Sequence, residues 1–136
     1  MKSQLVKRLW ASPCTLLGLV FAAPLLCLGA KLVARQGALE VAFRRRHVHC
    51  SRALRALPFR GITFGHVILA VTQEELELLR AHELVHVRQY EHWGIFFFPA
   101  YIGSSLWQLL RGRRVYWDNH FEVQARRESG RLQESK

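Results

Sequence analysis

The chain has 136 residues, room for one small domain and at most an accessory segment. Half of them are hydrophobic and the formal net charge is +10, yet the basic residues flank apolar stretches instead of alternating with aromatics, which argues for a membrane surface and against nucleic acid as partner. Three cysteines with no C-x-x-C pair exclude a disulfide framework and a cysteine-based metal site.

Residues 9–30 carry no formal charge. As a helix their ~22 residues would cross a hydrocarbon core of ~30 Å. Lys2, Lys7 and Arg8 precede them, as at the start of a signal peptide. The cleavage positions are poor, however. Ala23 is followed by Pro24, and Leu28-Gly29-Ala30 places a large residue where a small one is preferred. The expectation is an uncleaved signal anchor over residues 1–35, a transmembrane helix that Pro13 and Pro24 kink without forbidding. Lys31, Arg35 and Arg44–Arg46 outweigh the three preceding charges, so the positive-inside rule leans toward a cytoplasmic domain over residues 36–136.

Within that domain Leu39–Phe43 alternates like a strand. Arg44-Arg45-Arg46 reads as a solvated or lipid-facing cluster. Ser51–Leu57 suggests a short helix ended by Pro58. Phe59–Phe64 and His66–Val71 are β-prone runs separated by Gly65, a hairpin or a bent strand.

Thr72-Gln73-Glu74-Glu75 is a capping box, with acidic residues where the helix dipole favours them. Gly94 supplies a stop. A helix over about 73–92 follows, with Leu76, Leu79, Glu83, His86, Tyr90 and Trp93 on one stripe. Its middle reads His82-Glu83-Leu84-Val85-His86. Residues four apart on a helix lie ~40° apart around the axis and ~6 Å along it, so both imidazoles reach one metal ion. Glu83 points to the same side, placed to take a proton from water that the metal activates. The plainer alternative is two surface histidines with Glu83 in a salt bridge. The apolar stripe argues against it, because a buried carboxylate is costly unless paired or near a metal.

Residues 94–110 resemble a second span but are short for one, ~25 Å as a helix. They also carry Pro99, Ser104, Ser105 and Gln108, so an interfacial or re-entrant helix fits equally. A catalytic zinc requires a third protein ligand. His92 lies six residues after His86, but the position where a glycine would turn the chain back is Gln89. A straight helix would leave His92 ~15 Å along the axis from His82. Glu122 is preferred. Asp118 or Asn119 can cap a helix that presents it in the first turns, and Ala125 is small enough for close helix approach. His120 is the remaining candidate, or with Tyr116 a stabiliser of the transition state. A site using Glu122 requires residues 94–110 to fold back, since a full crossing would separate Glu122 from His86.

Ala81–Gln89 resembles the active-site helix of bacterial gluzincin-type zinc metallopeptidases. Together with Ile62-Thr63-x-Gly65-x-x-Ile68, Leu78–Leu84 and Asn119-x-x-Glu122-x-x-Ala125, it is similar to the peptidase-like core domain of extracellular contractile injection systems, over about residues 60–127. The resemblance implies an α+β, minimal zincin-like domain: a small β layer, the motif helix and a third-ligand helix. It implies zinc (Zn2+) and peptide hydrolysis. His82, His86 and Glu122 are then the expected ligands, Glu83 the general base, and His66–Val71 the strand expected to hold substrate as an added strand. Related enzymes often carry an aspartate four residues after the third ligand, to orient a zinc histidine, where this chain has Arg126. The expected function is a membrane-anchored zinc metallopeptidase acting on peptide or protein. The rivals are a catalytically inactive zinc-binding membrane scaffold and a two-span membrane protein without metal.

Overall fold

A computed structural model describes residues 2–44 and 60–134. Arg45, Arg46, the expected helix at 51–57, its Pro58 stop and Phe59 lie outside the described residues. Strands β2 (Ala38–Phe43) and β4 (Val67–Thr72) are apolar at nearly every position, as expected of strands covered on both faces. They pair in parallel. Strand β1 (Lys31–Arg35) adds antiparallel to β2, and β3 (Gly61–Phe64) antiparallel to β4. The order is β1-β2-β4-β3, a four-stranded mixed sheet in an α+β fold. Helices α1 (Lys2–Trp10) and α2 (Ser12–Cys27) precede the sheet. Helix α3 (Gln73–Trp93), a 3-10 turn (Gly94–Phe96), α4 (Phe97–Leu110) and α5 (His120–Glu134) follow it.

Side chains alternate across a strand, and here each face has its own helix. Val41, Phe43, Val67 and Leu69 pack with Ala22 of α2. Ala38, Ala42, Ile68 and Ala70 pack with Leu76 and Val87 of α3. Helix α2 lays Gly18 and Ala22 against the sheet, while Cys14, one turn earlier, packs with Tyr90 of α3 and Phe97 of α4. A Cβ on Gly18 would come within 2.7 Å of Val67 Cβ, and one on Gly65 (φ +59°) would collide with Thr15. The segment expected as an anchor outside the domain is thus a layer of it, and residues 31–35 are its edge strand. The boundary expected at residue 35 falls at the β1–β2 turn, where Gln36 and Gly37 have φ of +51° and +83°. No single helix among the described residues is long and apolar enough to cross a membrane. Helices α1 and α2 meet that measure only as a pair bent by 57°.

Glu40 is buried in the middle of β2 on the α3 side. Arg80 of α3 reaches both of its oxygens, at 2.7 and 3.1 Å. This two-pronged pair locks α3 onto the sheet two residues before the motif. Arg80→Met strands a buried carboxylate and is expected to cost about 3–5 kcal/mol in urea unfolding. Adding Glu40→Leu should restore most of that; no recovery would mean the pair does not set this packing.

Helix α3 begins at its capping box: Thr72 Oγ1 accepts from Glu75 N at 3.2 Å. It ends where Gly94 takes φ +56°. Of the expected stripe Leu76, Glu83, His86 and Tyr90 are buried, whereas Trp93 is 42% exposed. Beyond α4, the left-handed Gly112 turns the chain back. Asn119, not Asp118, caps α5, with Oδ1 accepting from Phe121 N at 2.9 Å. Asp118 instead accepts from Arg114. Residues 94–110 therefore return the chain to the side it left, and α5 packs along α3.

Candidate metal centre

His82 and His86 project from successive turns of α3, with Nε2 atoms 3.1 Å apart. Helix α5 brings Glu122 between them, close because Ala125 is fully buried and has no bulk to hold the helices apart. Glu122 Oε2 lies 3.1 Å from His82 Nε2, and Oε1 lies 3.4 Å from His86 Nε2. Ligand bonds of ~2 Å at tetrahedral angles require donor separations of ~3.3 Å. The three side chains therefore form a cluster that can hold a metal ion. His92 and His120 are exposed and stand outside that cluster.

Burial works against the charge on Glu122, but hydrogen bonds from His82 and His86 outweigh it and hold the carboxyl well below the usual range. Burial likewise pulls the His86 imidazole down, and the Glu122 hydrogen bond with the Glu83 and Glu122 charges carries it above its ordinary value. Tyr101 of α4 donates its hydroxyl to Glu122 Oε1 at 2.8 Å. Its burial and the Glu122 charge push that hydroxyl strongly up, so it remains a donor. Sequence reasoning missed Tyr101 because it sits in a stretch that reads only as apolar.

Gln89 was also missed as a site residue. Its Nε2 donates to the Phe121 carbonyl and to Gln124 Oε1, both at 3.1 Å. A carbonyl only accepts, so the amide oxygen must face His86, 2.8 Å from Nδ1. When neutral, His86 then carries its proton on Nδ1 and turns a bare Nε2 toward the cluster. The resemblance expects an aspartate at the position of Arg126 in this orienting role; here Gln89 fills it. Arg126 itself donates to the Trp117 carbonyl and lies 4.9 Å over the Trp117 ring. We expect Gln89→Leu to weaken metal binding ~10–100-fold, by analogy with other ligand-orienting groups. Gln89→Glu, which keeps an acceptor against Nδ1, should retain most of the affinity in a chelator competition. Equal affinities for all three proteins would remove Gln89 from this role.

Glu83 is buried and accepts a 2.7 Å hydrogen bond from Thr63 of β3. Gly61 lies against it: a Cβ there would meet Glu83 Oε1 at 3.0 Å. Glu83, His86 and Glu122 share one cleft of ≈ 620 Å³ whose other walls are mostly apolar. Tyr116 lines the same cleft. Burial and then the Glu122 charge push its hydroxyl up to about 12, so it too remains a donor. His120 is not among the residues that line this cleft and packs edge-on against Phe121, centroids 5.5 Å apart. The strand expected to hold substrate also changes. β4 is interior, hydrogen-bonded on one side to β2 and on the other to β3, and has no free edge. β3 is the edge strand, and all four of its residues line the cleft.

Fold and site together define an α+β protein with a two-histidine, one-glutamate cluster that can hold a metal ion beside an apolar cleft. Protein-family models, curated proteins and solved structures contain no match to this chain.

Proposed function

We propose that this protein is a membrane-attached, zinc-dependent metallopeptidase of zincin-like, gluzincin type. The observation that carries the reading is the convergence of His82, His86 and Glu122, the last two at the wall of a cleft that also holds Glu83 and the edge strand of the described sheet. The donor set suits zinc, which when bound supplies the Lewis acidity that acidifies water and polarises a carbonyl. Glu83 takes the proton of the attacking water and passes it to the leaving amine. Thr63 holds the Glu83 carboxylate in place. A peptide in extended conformation pairs with the edge of β3, which brings its backbone past Glu83. Tyr116, protonated and in the cleft, donates to the oxygen that gains charge in the tetrahedral state.

The test is metal content of the purified chain, followed by hydrolysis of an unfolded protein substrate with and without chelator. Bound zinc and chelator-sensitive cleavage are expected. A chain that takes up no metal would end this reading. Zinc without turnover on any peptide library would favour a second one, a silent zinc-binding scaffold at the membrane. One observation speaks for that alternative: among the described residues no side chain orients His82 as Gln89 orients His86.

A further inference from the structure

Helix α4 is built inside out for a protein surrounded by water. Tyr101, Ser104 and Ser105 face inward and are hydrogen-bonded. Ser104 Oγ accepts from His120 N, and Ser105 Oγ accepts from Asn119 Nδ2 and donates to the Val115 carbonyl. Ile102, Leu106 and Leu109, at i, i+4 and i+7, face outward and are more than half exposed, and Leu110 is 81% exposed. The hydrophobic effect would favour the reverse. Helix α2 shows a related inversion. Its small residues Cys14, Gly18 and Ala22 are buried, and its large ones, Leu16, Val20 and Phe21, are exposed. Small residues inward and large apolar residues outward is how helices pack when lipid is the solvent.

The two faces connect through aromatic contacts that lead to the cleft. Exposed Phe21 of α2 stacks on Phe64, centroids 5.2 Å apart, and Phe64 meets Phe98 at 6.0 Å. Phe64 and Phe98 both line the cleft, beside exposed Ile102 and Trp117. Exposed Trp10 lies 6.1 Å from exposed Phe96, joining α1 to the turn before α4. The charges agree with this surface. No Asp or Glu occurs in residues 1–39 or 92–117, whereas Lys7, Arg8, Lys31, Arg35, Arg111 and Arg113 flank the two helices. Basic residues at the rim of an apolar face suit anionic headgroups.

We propose that the outward faces of α2 and α4 form one seat on an anionic lipid bilayer, entering it without crossing it, with the cleft opening at that seat. The occupant of the surface is lipid. The peptide class that the cleft admits is then an apolar segment lying at the bilayer surface, a consequence that rests on the peptidase reading. This goes beyond an N-terminal tether, because it gives α4 and the cleft mouth the same lipid contact as α2.

The test is flotation of the full chain with vesicles of phosphatidylcholine, with and without phosphatidylglycerol. Glu83→Gln serves as a further sample, so that cleavage plays no part. Binding is expected to the anionic vesicles and to be weaker without phosphatidylglycerol. Leu106→Ser with Leu109→Ser, and separately Leu16→Ser with Val20→Ser, should each weaken binding by at least about tenfold. These side chains face outward, so an unchanged melting temperature shows that the fold is kept. A variant retaining Trp117 as its only tryptophan (Trp10, Trp93 and Trp107→Phe) should be quenched by brominated-acyl lipid, which places the cleft mouth at the bilayer. A chain that stays in the aqueous phase, or that buries these faces in a dimer that does not float, overturns the proposal. So does undiminished binding by both serine pairs, or a floating chain whose Trp117 is not quenched. None of these readouts needs hydrolysis or zinc, so their failure is distinct from failure of the peptidase reading.

Discussion

Glu122→Ala is expected to lose stoichiometric zinc, and His92→Ala to keep it. Replacing a group that merely orients a ligand costs ~10–100-fold in metal affinity, so removing a ligand should exceed about 100-fold. His82→Ala and His86→Ala should behave like Glu122→Ala. In each of the three the rise in melting temperature that zinc gives the wild type should vanish, because metal bound only to the folded state stabilises it by mass action. Acid should weaken the same affinity. As a ligand His86 would bind through an unprotonated nitrogen, and its imidazole is held above its ordinary value in the metal-free protein. Affinity is therefore full above that raised value and falls as pH drops through it. The metal-free cluster has the opposite dependence on the histidine side. The His86 contribution to stability is present below the unfolded value of ~6.5 and is lost as pH rises through the folded one. The Glu122 contribution, from a lowered carboxyl, is present above ~4.3 and is lost as pH falls through its folded value. Equal zinc content in wild type, Glu122→Ala and His86→Ala would overturn the assignment of this cluster.

Glu83→Gln should retain zinc and lose hydrolysis by about 10²–10⁴-fold, the usual contribution of a general base. The amide is nearly isosteric, and its oxygen can still accept from Thr63, which now meets Glu83 at 2.7 Å. What it cannot do is take a proton. The loss should therefore appear in kcat with KM little changed, and the melting temperature should stay within a few degrees of wild type. Thr63→Val tests the support for that carboxylate and should lower kcat by less than Glu83→Gln. Undiminished proteolysis by Glu83→Gln would sink the mechanism even if the metal site stands.

Helix α3 was legible because its signals are local. Thr72 bonds to Glu75 three residues on, and Gly94 stops the helix by its own backbone freedom. The hairpin about Gly65 and the start of α5 at Asn119 are local in the same sense. The pairing of His82 with His86 is also a property of one helical turn. Glu122 was legible only through a residue pattern, since the bond that brings it to His82 joins positions 40 apart in the chain.

Other features had no local signature. Glu40 gave no sign that Arg80 would meet it, again across 40 positions. Gln89 reads in sequence as a helix former, and only the Phe121 carbonyl on α5 forces its amide oxygen toward His86. Tyr101 becomes a Glu122 partner only because α4 turns back beside α5. The sharpest case is α2. Average hydropathy treats Cys14, Gly18 and Ala22 together with Leu16, Val20 and Phe21, and so reads one membrane span. In the fold the first three are buried, Gly18 and Ala22 against the sheet and Cys14 against Tyr90 and Phe97, and the others face out. The sequence by itself determined where α3 and α5 begin and where the Gly65 and Gly94 turns fall, because caps, left-handed glycines and periodicity act within a few residues. Only the tertiary structure decided which faces meet, which strand keeps a free edge and which buried polar groups become partners, because those energies arise from contacts between distant segments that no short stretch of chain encodes.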